Sequence, residues 1–474
     1  MNRRNFLKSA GVLTSVSAVA HSASAGCLFG RRKKKHERPN ILIIMTDQQT
    51  ADALSCVDNK NFNTPAMDRI VNAGKLIKRS YCTTPLCIPS RSSMFTGLYP
   101  HEINVPINDP HAQWDKEKIP YLGRLMKSGN YDTGYVGKWH LTTDPKEIAL
   151  HGFDYIKLAR NNDLDPDVPK ASIDFLKQER ENPFLLVSSF VNPHDICQWA
   201  RGDAMRNDDI PEAPSAVLCP ELPANFEIPD LEPEMIRKQQ LMSSRTYPTV
   251  KWEDDRWRQY RWAYAKLVEK VDQHIQKIVD SLDDLKLWDN TVIIFTSDHG
   301  DGNGSHKWNQ KQVLYDEVAR VPFSVTWKGH IAPGVLSSPV VSTGIDLIPT
   351  ILDYAQIEQP SYMQGSSVRP LVEDKSSSIR DYTVVETDFC NMTKRFNVRG
   401  RAVISGDYKF IFYDVGNIRL QLFDMVKDPG ETKNLAYDPA YQEVVKKYVG
   451  YLKQWKEQTN DDFDFTLNKE EDIV

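Results

Sequence analysis

The chain has 474 residues, of which 40% are hydrophobic and 26% are charged, and its formal net charge is −5 at pH 7. This length and composition are typical of a large globular protein with two unequal lobes. The slightly negative charge gives no indication of a nucleic-acid partner, and the absence of a run of about 18 apolar residues excludes a transmembrane helix by that criterion.

The N-terminal segment has the features of an export signal. Residues 3–8, Arg-Arg-Asn-Phe-Leu-Lys, resemble a bacterial twin-arginine motif, and a short apolar stretch follows at residues 10–20. Residues 23–25 are similar to a signal-peptidase site, whereas residues 24–27 are similar to a lipoprotein box with Ser24 where Leu is usual. We therefore expect an exported bacterial protein, either periplasmic or lipid-anchored at Cys27, with residues 1–36 as signal and basic linker.

Three short apolar runs are typical of buried parallel strands. They comprise residues 41–45, 184–187 and 292–295. Helical patterns lie between them: Thr64 and Pro65 favour a helix start, Gly74 favours its end, and apolar residues recur at helical spacing from Leu267 to Leu282. Alternating strands and helices predict an α/β/α sandwich around a large, mostly parallel mixed sheet.

Each of these strands leads into a polar cluster at its carboxyl end. Asp47 follows the first strand, His194 follows the second, and Asp298 and His299 follow the third. Ligand sites of open α/β sheets form at that edge. Metal-ligating and acid–base residue types at three strand ends therefore predict a functional site there.

The C-terminal part of the chain has a different pattern. Residues 200–256 are polar and proline-rich, which predicts a long excursion over the rim of the site. Four strand-like segments and a helical pattern follow, at residues 382–386, 401–405, 409–413, 421–423 and 441–455. The sequence thus predicts a main α/β domain over residues 37–375 and a small subdomain of antiparallel sheet plus helix over residues 376–474.

The most specific motif is Cys-Ile-Pro-Ser-Arg at residues 87–91, with Gly97 six residues after Arg91. It resembles the signature of the formylglycine-dependent sulfatases of the alkaline phosphatase superfamily. Pro89 favours the first turn of a helix and Gly97 favours its end, so Cys87 is predicted just before a helix N-terminus, where an anion is stabilised. The resemblance implies that a separate maturation enzyme converts Cys87 to formylglycine (3-oxoalanine), whose hydrate attacks sulfate esters, and that Arg91 holds this residue in place.

The same resemblance implies a divalent metal ion. The ligand pairs are Asp47 with Gln48 and Asp298 with His299, completed by an oxygen of the modified Cys87. Hard oxygen donors suit calcium or magnesium, and calcium is the commoner ion in the family. Many members have Asp where Gln48 stands and Asn where His299 stands, so this site carries less negative charge.

Further motifs follow in the order of the sulfatase family. They are Gly-Lys-Trp-His-Leu at residues 137–141, Asn-Pro-His at residues 192–194 and Ser-Asp-His-Gly at residues 297–300. The resemblance implies that Lys138 and Lys311 bind the sulfate, that His140 hydrogen-bonds the modified residue and acts as a base, and that His194 protonates the leaving oxygen. Two lysines, a metal ion and a proton donor supply fixed positive potential where charge builds during cleavage.

Loops near these motifs offer candidate substrate contacts, at His101, Asn104, Asp109, Trp199, Arg201, His306 and Lys307. Trp199 could stack on a sugar ring, and Arg201 could pair with a carboxylate or a second sulfate. The alternative is that Trp199 belongs to the core and Arg201 is a solvated charge. We expect a sulfated saccharide as substrate, such as a glycosaminoglycan or mucin fragment.

Two other functions remain open. Phosphonate monoester or phosphodiester hydrolases of the same superfamily share the cysteine motif, and relative rates on sulfate esters and phosphodiesters would separate them from sulfatases. An inactive glycan-binding surface protein belongs to a different class, and the retention of every motif residue disfavours it. The motifs specify the reaction rather than the sugar, the sulfate position or the oligomeric state.

The chain contains seven cysteines. With Cys27 assigned to the signal or anchor and Cys87 to the nucleophile, five remain. An odd number argues against a full disulfide framework. A Cys56–Cys82 pair and a Cys197–Cys219 pair stay open.

Overall fold

The structure, a computed structural model, describes residues 38–158, 165–207, 209–242, 247–391 and 393–467. The predicted export signal and linker at residues 1–36, including Cys27, lie outside the described residues. Within the described ranges, no helix combines the length and apolar character needed to cross a membrane.

An eight-stranded mixed sheet forms the centre of the fold, in the order β4-β3-β5-β1-β6-β7-β2-β8. Its strands are β1 (Asn40–Asp47), β2 (Lys75–Tyr81), β3 (Asp132–Gly137), β4 (Tyr155–Lys157), β5 (Phe184–Pro193), β6 (Thr291–Ser297), β7 (Phe323–Thr326) and β8 (Gly334–Ser342). Only β7 pairs antiparallel with its described neighbours. The three predicted strands lie within β1, β5 and β6, which confirms the mostly parallel sheet.

Helices cover both faces of this sheet. The α-helices within the described ranges, including those that pack on the second sheet, are α1 (Pro65–Asn72), α2 (Cys87–Thr96), α3 (Leu122–Ser128), α4 (Ile148–His151), α5 (Asp167–Leu176), α6 (Ile196–Arg201), α7 (Glu234–Met242), α8 (Asp254–Asp284), α9 (Asp316–Ala319), α10 (Thr343–Ala355), α11 (Arg369–Val372) and α12 (Gln442–Thr459). Neighbouring strand residues alternate between two cores: Leu42 packs with α1 and α8, whereas Ile43 packs with α3 and α10. Burial on both faces explains why the parallel strands are apolar throughout.

The helix predictions are confirmed in outline. Helix α1 begins at Pro65 as expected but ends at Asn72, two residues before Gly74. Helix α8 contains the whole predicted apolar stripe and extends it at its N-terminal end to Asp254. The region at residues 200–256 is more regular than predicted, because it contains α7 and the first turn of α8.

A second, four-stranded antiparallel sheet lies in the C-terminal part, in the order β12-β11-β10-β9. Its strands are β9 (Tyr382–Asn391), β10 (Lys394–Ser405), β11 (Tyr408–Tyr413) and β12 (Leu420–Asp424). One face packs with α12 through Val403 and Phe412, and the other packs with Trp308 through Ala402. The predicted antiparallel sheet and final helix are therefore confirmed.

The six cysteines within the described ranges are all free thiols. The Cys56–Cys82 and Cys197–Cys219 pairs that the sequence left open are therefore wrong.

Candidate active site

Four adjacent parallel strands deliver polar residues to one edge of the large sheet. In this edge the register pairs Asp47 of β1 with Pro193 of β5, and Thr46 with Ser297 of β6. Lys138 follows β3, and its backbone N–H donates to the Ser189 carbonyl of β5 at 2.9 Å. Asp47 therefore ends β1, and Lys138, His194 and Asp298 directly follow β3, β5 and β6. All four lie at the carboxyl edge, where α/β sheets bind ligands.

Two motif glycines are required by this close approach. Gly137 has φ of 95°, and a Cβ atom there would lie 1.9 Å from the Ser189 carbonyl oxygen. A Cβ atom on Gly300 would lie 2.0 Å from the Glu317 carbonyl oxygen. A side chain at Gly137 would push β3 away from β5, and one at Gly300 would push its loop away from α9. These glycines are therefore needed to bring the polar residues together.

Cys87 is the first residue of α2, rather than the residue before it as the sequence predicted. Pro89 lies in the first turn, and Gly97 ends the helix with φ of 77°. The N–H of Ile88 donates to Asn108 Oδ1 at 2.9 Å. The thiol is buried and retains the position at a helix N-terminus that favours negative charge.

Basic groups surround the Cys87 sulfur. Lys311 Nζ lies 2.8 Å from Cys87 Sγ, and His299 Nε2 lies 3.2 Å from it. Burial opposes ionisation of the thiol, but Lys311, His299 and Lys138 outweigh burial and hold the pKa of Cys87 well below its usual range. The site therefore stabilises an anion at residue 87.

Arg91 is fully buried and joins the two carboxylates of the site. Its Nε donates to Asp298 Oδ2 at 2.8 Å, and its Nη2 donates to Asp47 Oδ2 at 3.3 Å. Its Nη1 donates to the Ser189 hydroxyl at 2.9 Å. The hydrogen bonds of Arg91 to described residues thus position Asp47 and Asp298, the neighbours of residue 87, rather than Cys87 itself.

Asp47, Cys87, Asp298 and His299 form a candidate metal centre. One potential ligand atom from each lies within 4.8 Å of the others, and all four residues are buried. Burial and the nearby charge of Asp47 raise the pKa of Asp298 to about 6. The carboxylate oxygens of Asp47 and Asp298 are the donors that calcium and magnesium prefer. These residues fit a divalent cation.

Gln48 adjoins this centre in a constrained orientation. Its side-chain Nε2 donates to Asp301 Oδ2 at 2.7 Å, and its Oε1 accepts from Lys311 Nζ at 3.2 Å. A carboxylate only accepts hydrogen bonds, so Asp301 requires the amide nitrogen to face it and turns the amide oxygen toward Lys311. Tyr260 OH and the N–H groups of Asn303 and Gln310 hold Asp301 in turn.

Asp301 is a site residue that the sequence reasoning missed. It directly follows the Ser-Asp-His-Gly motif. This position beside a site motif is the one feature of the sequence that could have indicated a role for Asp301. Its contact with Gln48 spans 253 residues of the chain, so the role emerges only from the tertiary structure.

His140 and His194 both lie within hydrogen-bonding reach of Cys87 and are partly buried. Burial lowers the pKa of His140. Burial, Lys311 and Lys138 together lower the pKa of His194 to about 3. Both imidazoles are therefore neutral near pH 7 in the protein without substrate, and each can accept a proton.

The lysines predicted to bind sulfate are both almost fully buried. Lys138 Nζ contacts Asp47 Oδ2 at 2.5 Å, and Lys311 Nζ contacts the Cys87 sulfur. One ammonium group therefore contacts residue 87, and the other contacts its carboxylate neighbour Asp47. The structure brings together the predicted residues Asp47, Gln48, Cys87, Arg91, Lys138, His140, His194, Asp298, His299 and Lys311.

The predicted substrate contacts are more scattered. Trp199 packs against Trp252 and Tyr260, with the Arg256 guanidinium 3.9 Å from its ring centroid. Arg201 Nε pairs with Asp203 at 2.5 Å. The structure thus gives Trp199 the packing of the alternative core interpretation, and it gives Arg201 a local partner.

His306 and Lys307 also have partners within the protein. The His306 side chain is fully buried, and its ring centroid lies 4.0 Å from that of Tyr315. Lys307 Nζ pairs with Glu227 at 2.7 Å. His306 therefore has no surface to offer a substrate in this structure.

His101, Asn104 and Asp109 follow α2. His101 Nδ1 bonds Glu386 Oε2 at 2.6 Å, and its Nε2 lies 3.2 Å from the Thr459 carbonyl oxygen. Asn104 and His101 line one cavity. Asp109 accepts a hydrogen bond from the N–H of His111 in a turn.

Comparison with known families identifies the class of the protein. The sulfatase family model matches residues 39–357. A second model, described as N-sulphoglucosamine sulphohydrolase, C-terminal, matches residues 304–458. Because the first match spans more than half of the chain, the protein belongs to the sulfatase family, and its enzyme class is that of the sulfuric ester hydrolases.

Individual relatives cover most of the chain. A Delta 4,5-hexuronate-2-O-sulfatase of Bacteroides thetaiotaomicron is 28% identical over 453 residues, which are 92% of this chain and 92% of that protein. An N-acetylglucosamine-6-O-sulfatase of the same organism is 26% identical and covers 91% of this chain and 88% of its own length.

Solved structures share the fold. A 2-O GAG sulfatase is 27% identical with a TM-score of 0.80 and covers 90% of this chain and 93% of its own. A phosphonate monoester hydrolase of Agrobacterium radiobacter is 22% identical with a TM-score of 0.72 and covers 89% of this chain and 96% of its own. The latter likeness shows the fold alone.

Proposed function

We propose that this protein hydrolyses sulfate esters of saccharides, with residue 87 as the nucleophile after conversion of its cysteine to formylglycine. The arrangement around Cys87 carries the proposal: a lysine and a histidine contact its sulfur, and two further histidines lie within reach. Relatives named for sulfated hexuronate and N-acetylglucosamine support a saccharide, such as a glycosaminoglycan fragment, as the substrate class.

Two groups complete the proposed site. Formylglycine supplies, as its hydrate, a hydroxyl nucleophile in place of the thiol. Asp47, Gln48, Asp298 and His299 would hold a divalent cation, with calcium proposed because the ligands include carboxylate and amide oxygens. When bound, the cation polarises the nucleophile and offsets charge on the sulfuryl oxygens.

Lys138 and Lys311 hold the sulfate group. Both ammonium groups are almost fully buried, so their charge is poorly screened by water. They are in place before the reaction begins, and they need no rearrangement as negative charge grows on the leaving oxygen. Loss of either lysine removes part of this preformed positive potential.

His140 and His194 move the protons. His140 is neutral near pH 7 and accepts the proton of the hydroxyl group at residue 87. Lys311 and Lys138 are among the groups that lower the pKa of His194. A bound sulfate offsets these two cations, so the pKa of His194 rises when the substrate binds and the imidazole can protonate the leaving sugar oxygen.

The test is free sulfate release from a panel of defined sulfated mono- and disaccharides, with a phosphodiester as control. The protein is co-expressed with a formylglycine-generating enzyme and assayed with calcium, and again after chelation. We expect release from sulfated saccharides that chelation abolishes and calcium restores. Cleavage of the phosphodiester without release from any sulfate ester would contradict the proposal and favour the phosphodiesterase alternative.

A further inference from the structure

A cavity of about 200 Å³ lies between the loop after α2 and the strands β9 and β10. We call it the β9–β10 cavity. Its lining includes His101, Asn104, Asp388, Arg395, Arg399 and Arg401. Two of them, His101 and Asn104, are among the substrate contacts that the sequence predicted.

The wall of this cavity is bonded to the segments that carry Cys87 and Lys311. The N–H of Glu386 donates to the Thr83 carbonyl at 2.8 Å, four residues before Cys87. The Thr387 hydroxyl donates to the carbonyl of Gln312 at 2.6 Å, and Gln312 directly follows Lys311. Thr84 lines the cavity itself. The lining of the β9–β10 cavity is therefore bonded directly to the two segments that carry Cys87 and Lys311.

The arginines of the cavity are matched by carboxylates. Arg401 makes two bonds to Asp461, at 2.8 and 3.0 Å, and both side chains are buried. Arg399 pairs with Asp414 and Asp462. His101 pairs with Glu386. Since the positive charges are compensated within the protein, the cavity favours a neutral polar ligand over an anion.

Asp388 provides the clearest sign of a ligand. Its side chain is 4% exposed, its Oδ2 pairs with Arg395, and its Oδ1 has no hydrogen-bond partner among the described residues. A buried acceptor costs free energy until a donor reaches it. Arg395 is 46% exposed, and its Nη2 pairs with Asp388. A guanidinium has five N–H donors, so among the described residues Arg395 can offer further donors to a ligand beside the unpaired Asp388 Oδ1.

We propose that the β9–β10 cavity binds a neutral, hydroxyl-bearing ring of the saccharide substrate. One ring hydroxyl donates to Asp388 Oδ1, and a neighbouring hydroxyl accepts from Arg395. The cavity is smaller than the roughly 300–1,000 Å³ of sites for drug-sized ligands, so it holds one ring rather than a longer chain. This inference rests on the proposed function, because it assigns the ring to a saccharide whose sulfate is cleaved at residue 87.

The test compares two substrates in Asp388→Asn and the wild type. One is a sulfated disaccharide whose second ring is unsulfated and uncharged, and the other is 4-nitrophenyl sulfate, which has no such ring. We expect kcat/KM for the disaccharide to fall about tenfold, mainly through KM, because a neutral amide replaces the charged acceptor of the hydrogen bond. The aryl sulfate should be hydrolysed at the wild-type rate.

Two further variants show whether a loss of turnover comes from the cavity or from a damaged fold. Asp289→Asn makes the same chemical change at a carboxylate that pairs with Lys328, and it should alter neither substrate. Arg395→Gln changes a half-exposed side chain and should reduce only disaccharide turnover. Equal losses on both substrates in Asp388→Asn, or no loss on the disaccharide, would overturn the proposal.

Calorimetric binding of the desulfated disaccharides separates this proposal from the proposed function. Binding that Asp388→Asn weakens would support the cavity even if the wild type released no sulfate. Sulfate release from both substrate types, with no dependence of binding on Asp388, would leave the sulfatase assignment intact and overturn the cavity.

Discussion

Two clusters of the fold each combine two carboxylates with a histidine, and all of their residues except the half-buried Glu317 are buried. The Cys87 cluster comprises Asp47, Cys87, Asp298 and His299, and the Lys409 cluster comprises His306, Glu317 and Glu431, of which Glu431 contacts the ammonium group of Lys409. In each, potential ligand atoms lie within 4.8 Å of one another. The spacing of acids and histidines alone therefore does not distinguish an active site from a structural one.

In the Lys409 cluster the positive charge is supplied by the protein itself, through the buried ammonium group of Lys409. Lys409 Nζ contacts Asp316 Oδ1 at 3.0 Å and Glu431 Oε1 at 2.8 Å, and its side chain is fully buried. Burial raises the pKa of Glu431 to about 8, so Asp316 is the carboxylate that stays ionised beside Lys409. Because Lys409 belongs to β11 and Asp316 to α9, the cluster joins the second sheet to the rest of the fold.

The Cys87 cluster differs in two respects. A thiol contacts the ammonium of Lys311 directly, and His140 and His194 reach this thiol from partly exposed positions. A group that can attack and groups that can move protons thus face each other. The comparison teaches that a nucleophile and accessible acid–base groups, rather than the carboxylates, mark the active site.

The largest expected effect comes from Cys87→Ala. Removing the nucleophile removes the covalent route, so sulfate release should fall by at least about 10³-fold. The thermal midpoint should stay near that of the wild type, because Arg91 still joins Asp47 and Asp298. Retained turnover in a correctly folded variant would contradict the role given to residue 87.

Lys409→Met should reduce stability and leave activity unchanged, the opposite of Cys87→Ala. The variant leaves Asp316 buried without its cation, and the free energy of unfolding should fall by about 3–5 kcal/mol, measured by urea denaturation. Turnover per folded molecule should not change. Lys446→Met is the control, because the exposed pair of Lys446 with Glu443 should contribute little. A loss of kcat in Lys409→Met without loss of stability would break the distinction between the clusters.

His194→Ala should affect substrates according to their leaving group. A sugar alkoxide needs a proton, so hydrolysis of sulfated saccharides should fall by about 10²-fold or more. An activated aryl ester leaves without help and should lose less than about tenfold. Steady-state kinetics on both substrates measures the ratio, and equal losses would show that His194 is not the general acid.

Asp301→Asn should produce the smallest of these effects. Without the carboxylate the orientation of the Gln48 amide is no longer fixed, and calcium affinity should fall by about tenfold or more, within the range typical of groups that orient metal ligands. Calorimetric titration of the metal-free protein with calcium measures this change. Unchanged affinity would remove Asp301 and Gln48 from the metal centre.

Local patterns were sufficient to predict most of the fold. The strands β1, β5 and β6 are uniformly apolar because both faces of the sheet are covered, and α8 shows its buried stripe at helical spacing. The region at residues 200–256 was predicted less well, because α7 is short and its buried face holds Ile236, Gln239 and Gln240 rather than a run of apolar residues.

The residues of the candidate site also fall into two groups, those that the sequence could place and those that it could not. Residues at or directly after the end of a strand, such as Asp47 and Asp298, could be placed at one edge from the sequence because parallel strands end together. Asp301 and Asp388 could not, because their roles depend on contacts with Gln48 and Arg395 that the tertiary fold creates. His306 looked like a site residue from its motif position, yet its ring stacks on Tyr315 in the Lys409 cluster.

The central claim is that sulfate ester hydrolysis depends on a modified residue 87. The most direct measurement relates the sulfate release rate to the fraction of Cys87 converted to formylglycine, determined by mass spectrometry of the tryptic peptide of residues 80–91. Preparations with different degrees of conversion should show rates proportional to the converted fraction, with none at zero conversion. Equal rates in converted and unconverted protein would contradict the account.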